Sequence, residues 1–343
     1  MKRLLNTLYV TTQGGYLARD GETVAVRVDQ KDVLRVPIHT LDGIVCFGRV
    51  GCSPALMGLC GERQVALSFL TINGRFLARV NGPVSGNVLL RREQYRRADD
   101  PVEAAQMAWS VVGAKIVNSR VVLLRATRDR PDMQGRSAVQ GAAERLARVL
   151  KGLDPSAGLD SIRGAEGEAA RAYFGVFDHL IINHKESFYF RQRSRRPPMD
   201  NVNSLLSFVY TLLAHDVASA LEGVGLDPAV GFLHRDRPGR AGLALDLMEE
   251  MRPLLGDRLV LSLINRQQVD PSGFDRAESG AVYMDDKTRK VVIVAYQARK
   301  QDEIKHPFLN EKIALGLLPH AQAMLMARYL RGDLDAYPAF LWR

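Results

Sequence analysis

Residues 231–253 decide how the helical part of the chain is organised, and they read GFLHRDRPGRAGLALDLMEEMRP. The segment begins as a basic loop, because Pro238 and Gly239 interrupt regular structure, and it continues as a short helix. Pro253 disfavours helical geometry in the residue before it, so the helix is expected to end near Arg252. Five apolar side chains share one face of this helix at about 100° per residue: Leu243, Ala244, Leu247, Met248 and Met251. The pattern predicts a helix that packs this face against a core.

Three carboxylates lie on an arc next to that apolar face, namely Asp246, Glu249 and Glu250. Two interpretations are open. Three acids on one side of a helix are typical of a solvated face, and a single loop histidine usually has no special role. Alternatively, the acids, the imidazole of His234 and the loop arginines hold a metal ion against a phosphate. The arginines concerned are Arg235, Arg237 and Arg240. The second interpretation requires a further ligand elsewhere in the chain.

The composition is that of a soluble protein with an excess of positive charge. The chain has 343 residues, of which 46% are hydrophobic and 25% charged, enough for two domains and a sizeable core. The formal net charge is +9, and much of the excess is arginine in clusters. This favours a polyanionic partner, most simply nucleic acid, although a basic protein without such a partner is also compatible with it.

Cysteine usage and hydropathy indicate the compartment. Cys46, Cys52 and Cys60 are odd in number and lack the C-x-x-C spacing. They therefore argue against a disulfide framework or a zinc site, and for a reducing environment. No apolar run is expected to approach the roughly 18 residues that span a bilayer. We expect a cytoplasmic protein that is not in a membrane.

Residues 1–85 are predicted to form a β-rich domain. Short runs rich in Val, Ile, Thr and aromatic residues alternate with glycine-containing turn signals. The predicted strands are 8–12, 23–28, 33–36, 44–47, 65–70 and 76–80. One helix is expected after Ser53, a suitable N-cap, with Pro54 in its first turn. No catalytic cluster occurs here, so dimerisation and assembly are the expected roles.

Residues 86–100 are predicted to be a basic linker. Four arginines surround Tyr95, a pattern typical either of an exposed linker helix or of a DNA-facing one. They are Arg91, Arg92, Arg96 and Arg97.

Residues 101–343 are predicted to form a helical domain. Helical patterns occur at 101–128, 136–151, 161–190, 200–223 and 308–331, in addition to the helix near 243–252. Residues 281–296 have two β-prone arms around a polar turn, which predicts a hairpin. The expected fold class is α+β: a small N-terminal β-domain followed by a larger α-helical C-terminal domain with an inserted β-hairpin.

Glu166 is a candidate partner for the acidic helix. It lies on the same predicted helix face as Ala169, Ala170 and Tyr173, whereas Glu168 points elsewhere and can be solvated. A carboxylate on an apolar stripe is costly unless a cation or hydrogen bonds compensate it. A structural salt bridge and a place in a functional site are both compatible with this position.

The segment 191–203 contains four arginines, and two prolines follow the last of them. It is typical either of a solvated loop or of a surface that contacts phosphates, and the charge excess favours the second. The candidate DNA contacts in it are Arg191, Arg193, Arg195 and Arg196.

Three blocks together resemble one known family. They are GAEGEAAR at 164–171, RRPPMDNVN at 195–203, and GFLH at 231–234 followed by LALDLMEE at 243–250. Their order and spacing resemble the CRISPR spacer-acquisition integrase, the first-numbered CRISPR-associated protein family. The resemblance covers essentially the whole chain, and the ending at 337–343 resembles that of subtype I-C members.

The resemblance implies a homodimer and a complex with a small ferredoxin-like adaptation partner. It also implies a divalent-metal site at Glu166, His234 and Glu249, with Asp246 as a nearby supporting acid. Two carboxylates and one imidazole suit Mg²⁺ or Mn²⁺ better than a structural Zn²⁺. In the family's reaction, the 3′-hydroxyl of a captured DNA fragment attacks the phosphate at the border of a repeat array.

Two other functions stay open at this point. A metal-dependent nuclease of branched DNA would use the same residues but would produce cut products without joined ones. A non-catalytic DNA-binding scaffold would act without a metal, and the matched spacing of Glu166, His234 and Glu249 argues against it.

Overall fold

A computed structural model describes residues 6–80, 82 and 88–342. The chain divides into two compact units, Met1–Gly86 and Asn87–Arg343. Of the predicted linker, residues 86 and 87 lie outside the described residues, whereas the rest belongs to the second unit. Arg343 of the predicted subtype-like ending also lies outside them.

Within residues 6–80, the first unit forms two four-stranded sheets and one α-helix. Its elements are β1 (Thr7–Val10), β2 (Tyr16–Asp20), β3 (Thr23–Val28), β4 (Lys31–Pro37), β5 (Gly43–Phe47), β6 (Gly51–Cys52), α1 (Pro54–Arg63), β7 (Ala66–Leu70) and β8 (Phe76–Val80). One sheet has the order β1-β5-β7-β8 and the other the order β4-β3-β2-β6. Residues of both sheets and of α1 share one core, which includes Leu17, Ile44 and Leu56.

Most of this unit was predictable from the sequence. Ser53 caps α1 as expected, since its Oγ accepts a hydrogen bond from the Leu56 N–H at 3.2 Å, and Pro54 occupies the first turn. Strands β2 and β6 were missed. Three of the five residues of the first are Ala, Arg and Asp, which do not favour strands, and the second has only two residues.

The second unit is mainly helical. Its helices are α2 (Val88–Asp99), α3 (Pro101–Asp129), α4 (Arg136–Lys151), α5 (Leu159–Gly175), α6 (Asn201–Gly223), α7 (Gly242–Glu249), α8 (Arg258–Asn265), α9 (Asp286–Gln301) and α10 (Leu318–Leu330). Two short hairpins are set among them: β9 (Phe274–Arg276) with β10 (Val282–Met284), and β11 (Glu303–Lys305) with β12 (Lys312–Ala314). The predicted class, a β-domain followed by a helical domain with an inserted hairpin, is confirmed.

The hairpin predicted at 281–296 was wrong in its second arm. Only β10 forms there, and the chain then enters α9. The Asp285 carboxylate accepts the Thr288 N–H at 2.7 Å and caps this helix. The cap and the tertiary packing override the strand preference of the Val291–Val294 run.

Two of the predicted helices were too long. The helix predicted at 161–190 ends at Gly175, where a short 3₁₀ turn and a cluster of phenylalanines follow. The helix predicted at 308–331 begins only at Leu318, with Pro319 in its first turn.

Helices α3 and α6 are long and apolar enough to cross a membrane by length and composition, which corrects the expectation that no run approaches that length. More than half of the apolar window of each is buried inside the protein, as in core helices that pass the same test.

Helix α7 lies at the centre of the second unit. It packs against α3, α6 and α10, and all five residues of its predicted apolar face are buried. The acids on its other side are buried as well, with Asp246, Glu249 and Glu250 each at most 2% exposed. The solvated-face interpretation is therefore wrong. Buried carboxylates require compensating partners, and these partners define the site.

Candidate metal centre

The ammonium of Lys115 joins two carboxylates from different helices. Lys115 lies in α3, and its Nζ donates a short hydrogen bond to Oε1 of Glu166 in α5. The same Nζ lies 2.8 Å from Oε2 of Glu249 in α7. Helices α3, α5 and α7 thus meet at one cation, and the two candidate ligands Glu166 and Glu249 are brought together as expected.

Glu249 is the most deeply buried of these groups. Its Oε1 accepts a salt bridge from Nη1 of Arg252 at 2.6 Å. Burial alone would raise the pKa of Glu249, but the charges of Arg252, Lys115 and His234 lower it to about 2. Glu249 is therefore an anion at neutral pH.

Asp246 orients His234. The backbone N–H groups of Phe232, Leu233 and His234 donate to its carboxylate at 2.6, 2.9 and 3.0 Å. Nδ1 of His234 lies 2.6 Å from Asp246 Oδ1. A carboxylate only accepts hydrogen bonds, so Nδ1 carries a proton, and in the tautomer protonated at Nδ1 alone Nε2 is a lone-pair donor. Asp246 thus has the geometry of an acid that supports a metal-binding histidine from behind.

A contact from α5 fixes the loop that carries His234. Nε of Arg163, one turn before Glu166, donates to the Leu233 carbonyl at 2.8 Å. This ties the histidine loop to the helix that carries Glu166. As the side chains stand, however, no three His, Cys, Asp or Glu residues in the described ranges are close enough to hold a metal ion. The three-ligand set therefore stays a prediction.

The donor atoms nevertheless fit a hard divalent cation. Oε2 of Glu249 is buried, and within the described chain no donor reaches it with hydrogen-bond geometry, although Nζ of Lys115 is in ion-pair contact. A buried carboxylate oxygen is costly unless a cation compensates it, and the Lys115 ammonium at 2.8 Å provides that cation here. Together with Glu166 and the free Nε2 of His234, Oε2 of Glu249 provides two oxygens and one nitrogen, a set compatible with Mg²⁺ or Mn²⁺.

The chain after α7 widens into a π-helical turn, Arg252–Asp257. The α-helix therefore ends close to the predicted position, but Pro253 does not end the helical path. Such widened turns often occur at functional sites. Here the turn aims Arg252 at Glu249, and the Arg252 guanidinium lies 5.0 Å from the centre of the Tyr210 ring.

Asp257 anchors the far end of the π turn. Its carboxylate accepts hydrogen bonds from the hydroxyls of Tyr210 and of Tyr173, the second at 2.9 Å. Burial raises the pKa of Asp257 to about 6, against the lowering effect of the two tyrosines and of nearby arginines. Because Tyr173 belongs to α5 and Tyr210 to α6, this carboxylate connects the turn to both helices.

Glu250 faces away from the site, towards the closing segment Tyr337–Trp342. Its carboxylate accepts from the Tyr337 hydroxyl at 2.8 Å, Gln322 Nε2 at 2.9 Å and the Phe340 N–H at 2.7 Å. Burial raises the pKa of Glu250 to about 7, although these donors lower it. Asn118 of α3 adds further bonds to the Glu250 and Phe340 carbonyls and receives the Trp342 N–H. The closing segment thus supports α7 from behind.

A cavity of about 320 Å³ opens beside Glu166 and Lys115. Its wall combines aromatic side chains of α5 and α6 with basic side chains of the segment 191–195 and of the π turn. The site therefore opens onto a space lined by both apolar surface and positive charge.

The predicted DNA-contacting arginines divide into two groups. Arg193 turns into the fold, where it donates to Asn203 and to Ser207, and burial lowers its pKa. It is half-buried and belongs to the cavity wall, and its contact with DNA stays a prediction. The other predicted contacts are exposed or partly exposed: Arg191, Arg195, Arg196, Arg235, Arg237 and Arg240.

The two basic segments lie near each other. The pKa of Arg240 is lowered by burial and then by the charges of Arg237, Arg195 and Arg163. Arg235 forms an exposed ion pair with Asp160 at 3.1 Å.

In helix α2, which contains most of the predicted linker, Arg97 pairs with Glu93 and Glu103. These ion pairs favour the linker-helix interpretation for Arg97.

The β unit followed by a helical unit is a fold shared with known structures. A casposase bound to an integration product gives a TM-score of 0.82 at 22% identity, covering 98% of this chain and 94% of the other. A Cas1 protein from Thermotoga maritima gives 0.81 at 21% identity, covering 97% and 99%. At these identities the similarity concerns the fold alone, which is that of the Cas1-like proteins.

Sequence similarity establishes the family. Residues 8–298 match the family described as CRISPR associated protein Cas1. A CRISPR-associated endonuclease Cas1 of Chlorobaculum tepidum is 56% identical over 343 residues, which is 100% of both chains. The chain therefore belongs to the Cas1 family of CRISPR-associated proteins.

Proposed function

We propose that the protein is a metal-dependent DNA integrase and endonuclease of CRISPR adaptation, which joins the 3′-hydroxyl ends of captured DNA fragments to the repeat array. The observation that carries the proposal is the meeting of Glu166 and Glu249 at one cation, beside an arginine-lined cavity, in a chain of the Cas1 family. The ending of the chain supports a place among subtype I-C members.

The residues that would hold the metal are Glu166, Glu249 and His234, the last through Nε2. When bound, Mg²⁺ or Mn²⁺ supplies Lewis acidity that polarises the scissile phosphate and offsets the charge developing on it. Asp246 would keep the imidazole in the tautomer that leaves Nε2 free, as its 2.6 Å contact with Nδ1 already does. Arg252 would keep Glu249 ionised and oriented.

In the joining reaction, the 3′-oxygen of the fragment forms a bond to a phosphorus of the array strand. The bond between that phosphorus and the 3′-oxygen of the neighbouring nucleotide breaks at the same time. The attacking hydroxyl loses a proton and the leaving oxygen gains one, so the number of phosphodiester bonds is unchanged and no ATP is needed. Water in place of the hydroxyl gives hydrolysis, so the same site would support endonuclease activity.

DNA would be bound mainly through its phosphates. Arg191 and Arg195 line the cavity, and the charge of Arg195 acts on Arg240 of the second basic segment, so both segments offer positive charge for such contacts. Arg191, Arg195, Arg196, Arg235, Arg237 and Arg240 are the residues we assign to this surface.

Two attacks on opposite strands are needed to insert a fragment, and one site can perform one attack. A homodimer would supply two sites at a fixed separation, and two-fold symmetry is the commonest arrangement of soluble oligomers. We therefore assign dimerisation and docking of a small ferredoxin-like adaptation partner to the β unit, and we place the assembly in the cytoplasm.

The test of this function is a joining assay. The protein is incubated with its partner, Mg²⁺ or Mn²⁺, a repeat-bearing plasmid and a labelled fragment with free 3′ ends. Label is expected to become covalently attached to the plasmid, and a matched fragment with 3′-deoxy ends should give none. A plasmid that is nicked while label never transfers would favour a nuclease without integration instead.

A further inference from the structure

Lys115 is placed where a charge is unexpected. It is the one charged residue between Ala104 and Ser119 of α3, a stretch that otherwise consists of apolar, small and uncharged polar side chains. Its side chain is 11% exposed. A lysine in such surroundings requires negative partners, because an ammonium removed from water without them is strongly disfavoured.

Its two partners are the carboxylates that we assign to the metal. Within the described residues, Glu166 forms its ion pair with Lys115 and with no other cation. Glu249 uses its other oxygen, Oε1, for Arg252. Without the ammonium, the carboxylates of Glu166 and Glu249 would repel each other. Arg252 would still compensate the charge of Glu249, but no ion pair in the described residues would compensate that of Glu166.

We propose that Lys115 is an internal counter-cation of the metal centre: it holds Glu166 and Glu249 together in the metal-free protein, and a divalent ion must displace it to bind. This inference rests on the proposed function, since it concerns the same two ligands. Lys115 is thereby a positioning residue that lowers the affinity of the site for metal.

Displacement follows from the contacts of the ammonium. Nζ contacts Oε1 of Glu166 and Oε2 of Glu249, the oxygens that would also face a shared ion. A metal ion such as Mg²⁺ approaches its oxygens to about 2.0–2.1 Å, so the ion and the ammonium cannot both lie between the same pair. The flexible four-carbon stem of lysine allows the ammonium to withdraw without a change in the backbone.

The arrangement has a cost and a benefit for the protein. Like charges disfavour each other, so an ammonium close to the site weakens binding of a divalent cation. In return, the ammonium holds both carboxylates in place in the metal-free protein. We therefore expect that removal of the lysine charge tightens metal binding. If Lys115 only aligned the ligands, its removal would weaken metal binding instead.

The experiment measures Mn²⁺ binding to the full-length protein without DNA, from the paramagnetic resonance signal of free Mn²⁺ during titration. Lys115→Met removes the charge and keeps the length of the side chain, and Lys115→Arg keeps the charge. Lys290→Met removes an exposed lysine charge from α9 and serves as the matched control. Glu166→Gln, which removes a ligand charge, identifies binding at this site.

Lys115→Met is expected to bind Mn²⁺ at least about tenfold more tightly than the native protein, which corresponds to about 1.4 kcal/mol. Lys115→Arg and Lys290→Met should not show this gain. The rise in melting temperature on adding saturating Mn²⁺ should also be larger for Lys115→Met, because tighter binding to the folded state stabilises it more. Should Lys115→Met be insoluble, Lys115→Gln removes the same charge and has the same expected result.

Unchanged or weaker Mn²⁺ affinity in the uncharged variants would overturn the inference. If the uncharged variants show no gain while the native protein binds Mn²⁺ and Glu166→Gln does not, the proposed metal site stands and only the role of Lys115 is rejected. An equal gain in Lys290→Met would reduce the effect to net charge and also overturn it. Absence of Mn²⁺ binding by every variant would reject both the inference and the proposed metal site.

Discussion

Replacement of Glu166 by Gln is expected to reduce the rate of DNA joining by about 10³-fold or more, because it removes a charged metal ligand and with it the stabilisation of charge at the phosphate. The fold should persist, since Lys115 retains its contact with Glu249. Affinity for DNA should stay within a few-fold, because the basic surface that we assign to phosphate binding does not include Glu166. The measurements are the joining rate and the dissociation constant for the fragment.

Glu168→Gln is the matched control for this prediction. Glu168 lies two residues further along α5, where its carboxylate is 41% exposed and pairs with Arg145 at 3.1 Å. The same change of charge there should leave joining within about twofold, because exposed ion pairs contribute little. Equal losses in the two variants would mean that the effect is one of net charge, and retained joining in Glu166→Gln would remove this residue from the catalytic centre.

A chain that ends at Ala336 is expected to lose at least about 5 kcal/mol of unfolding free energy and its joining activity with it. The deletion exposes the cavities left by three buried aromatic side chains, Tyr337, Phe340 and Trp342. It also leaves Glu250 with fewer hydrogen-bond donors inside the core, which adds to the loss. Denaturant unfolding followed by circular dichroism measures the difference.

The shortened chain should lose joining activity although Tyr337–Trp342 do not line the cavity beside Glu166. The cause is indirect: Glu250 directly follows Glu249 at the end of α7, so loss of the hydrogen bonds to Glu250 displaces the Glu249 carboxylate. Leu341→Ala is the control within the same segment, since Leu341 is 39% exposed and should tolerate truncation. If the shortened chain kept both full stability and full activity, the closing segment would have no role in positioning α7.

Local patterns predicted most of the elements that carry the site. Apolar periodicity predicted α7, and in the first unit a capping residue predicted α1. The two blocks that contain Glu166 and His234 were recognisable by their composition and by family resemblance. The errors arose where a local preference competed with a cap or with tertiary packing, as in the second arm of the expected hairpin, which became α9 because Asp285 caps it.

The three acids of α7 illustrate what a helical pattern cannot supply. On the sequence they form one arc, but in the structure each has different partners. Asp246 holds the histidine loop, Glu249 faces Lys115 and Arg252, and Glu250 faces the closing segment. These partners lie far away along the chain, and single-sequence periodicity contains no information on such contacts.

Lys115 left a signal in the sequence that could have been used. A lone charge in an otherwise uncharged helical stretch predicts a buried ion pair, by the same argument that singled out Glu166. Arg252 left a weaker one, three residues after Glu249 on the same helical path. The tyrosines around Asp257 left none, since their positions are ordinary for core aromatic residues.

We propose that Glu166, His234 and Glu249 bind one divalent cation. Crystals grown with Mn²⁺ and measured for anomalous scattering test it most directly. We expect one strong peak in the second unit, within roughly 2.0–2.5 Å of a carboxylate oxygen of Glu166, of Nε2 of His234 and of a carboxylate oxygen of Glu249, with the Lys115 ammonium moved away. A peak held by other residues, or no peak in crystals of a protein that joins DNA at the same Mn²⁺ concentration, would contradict it.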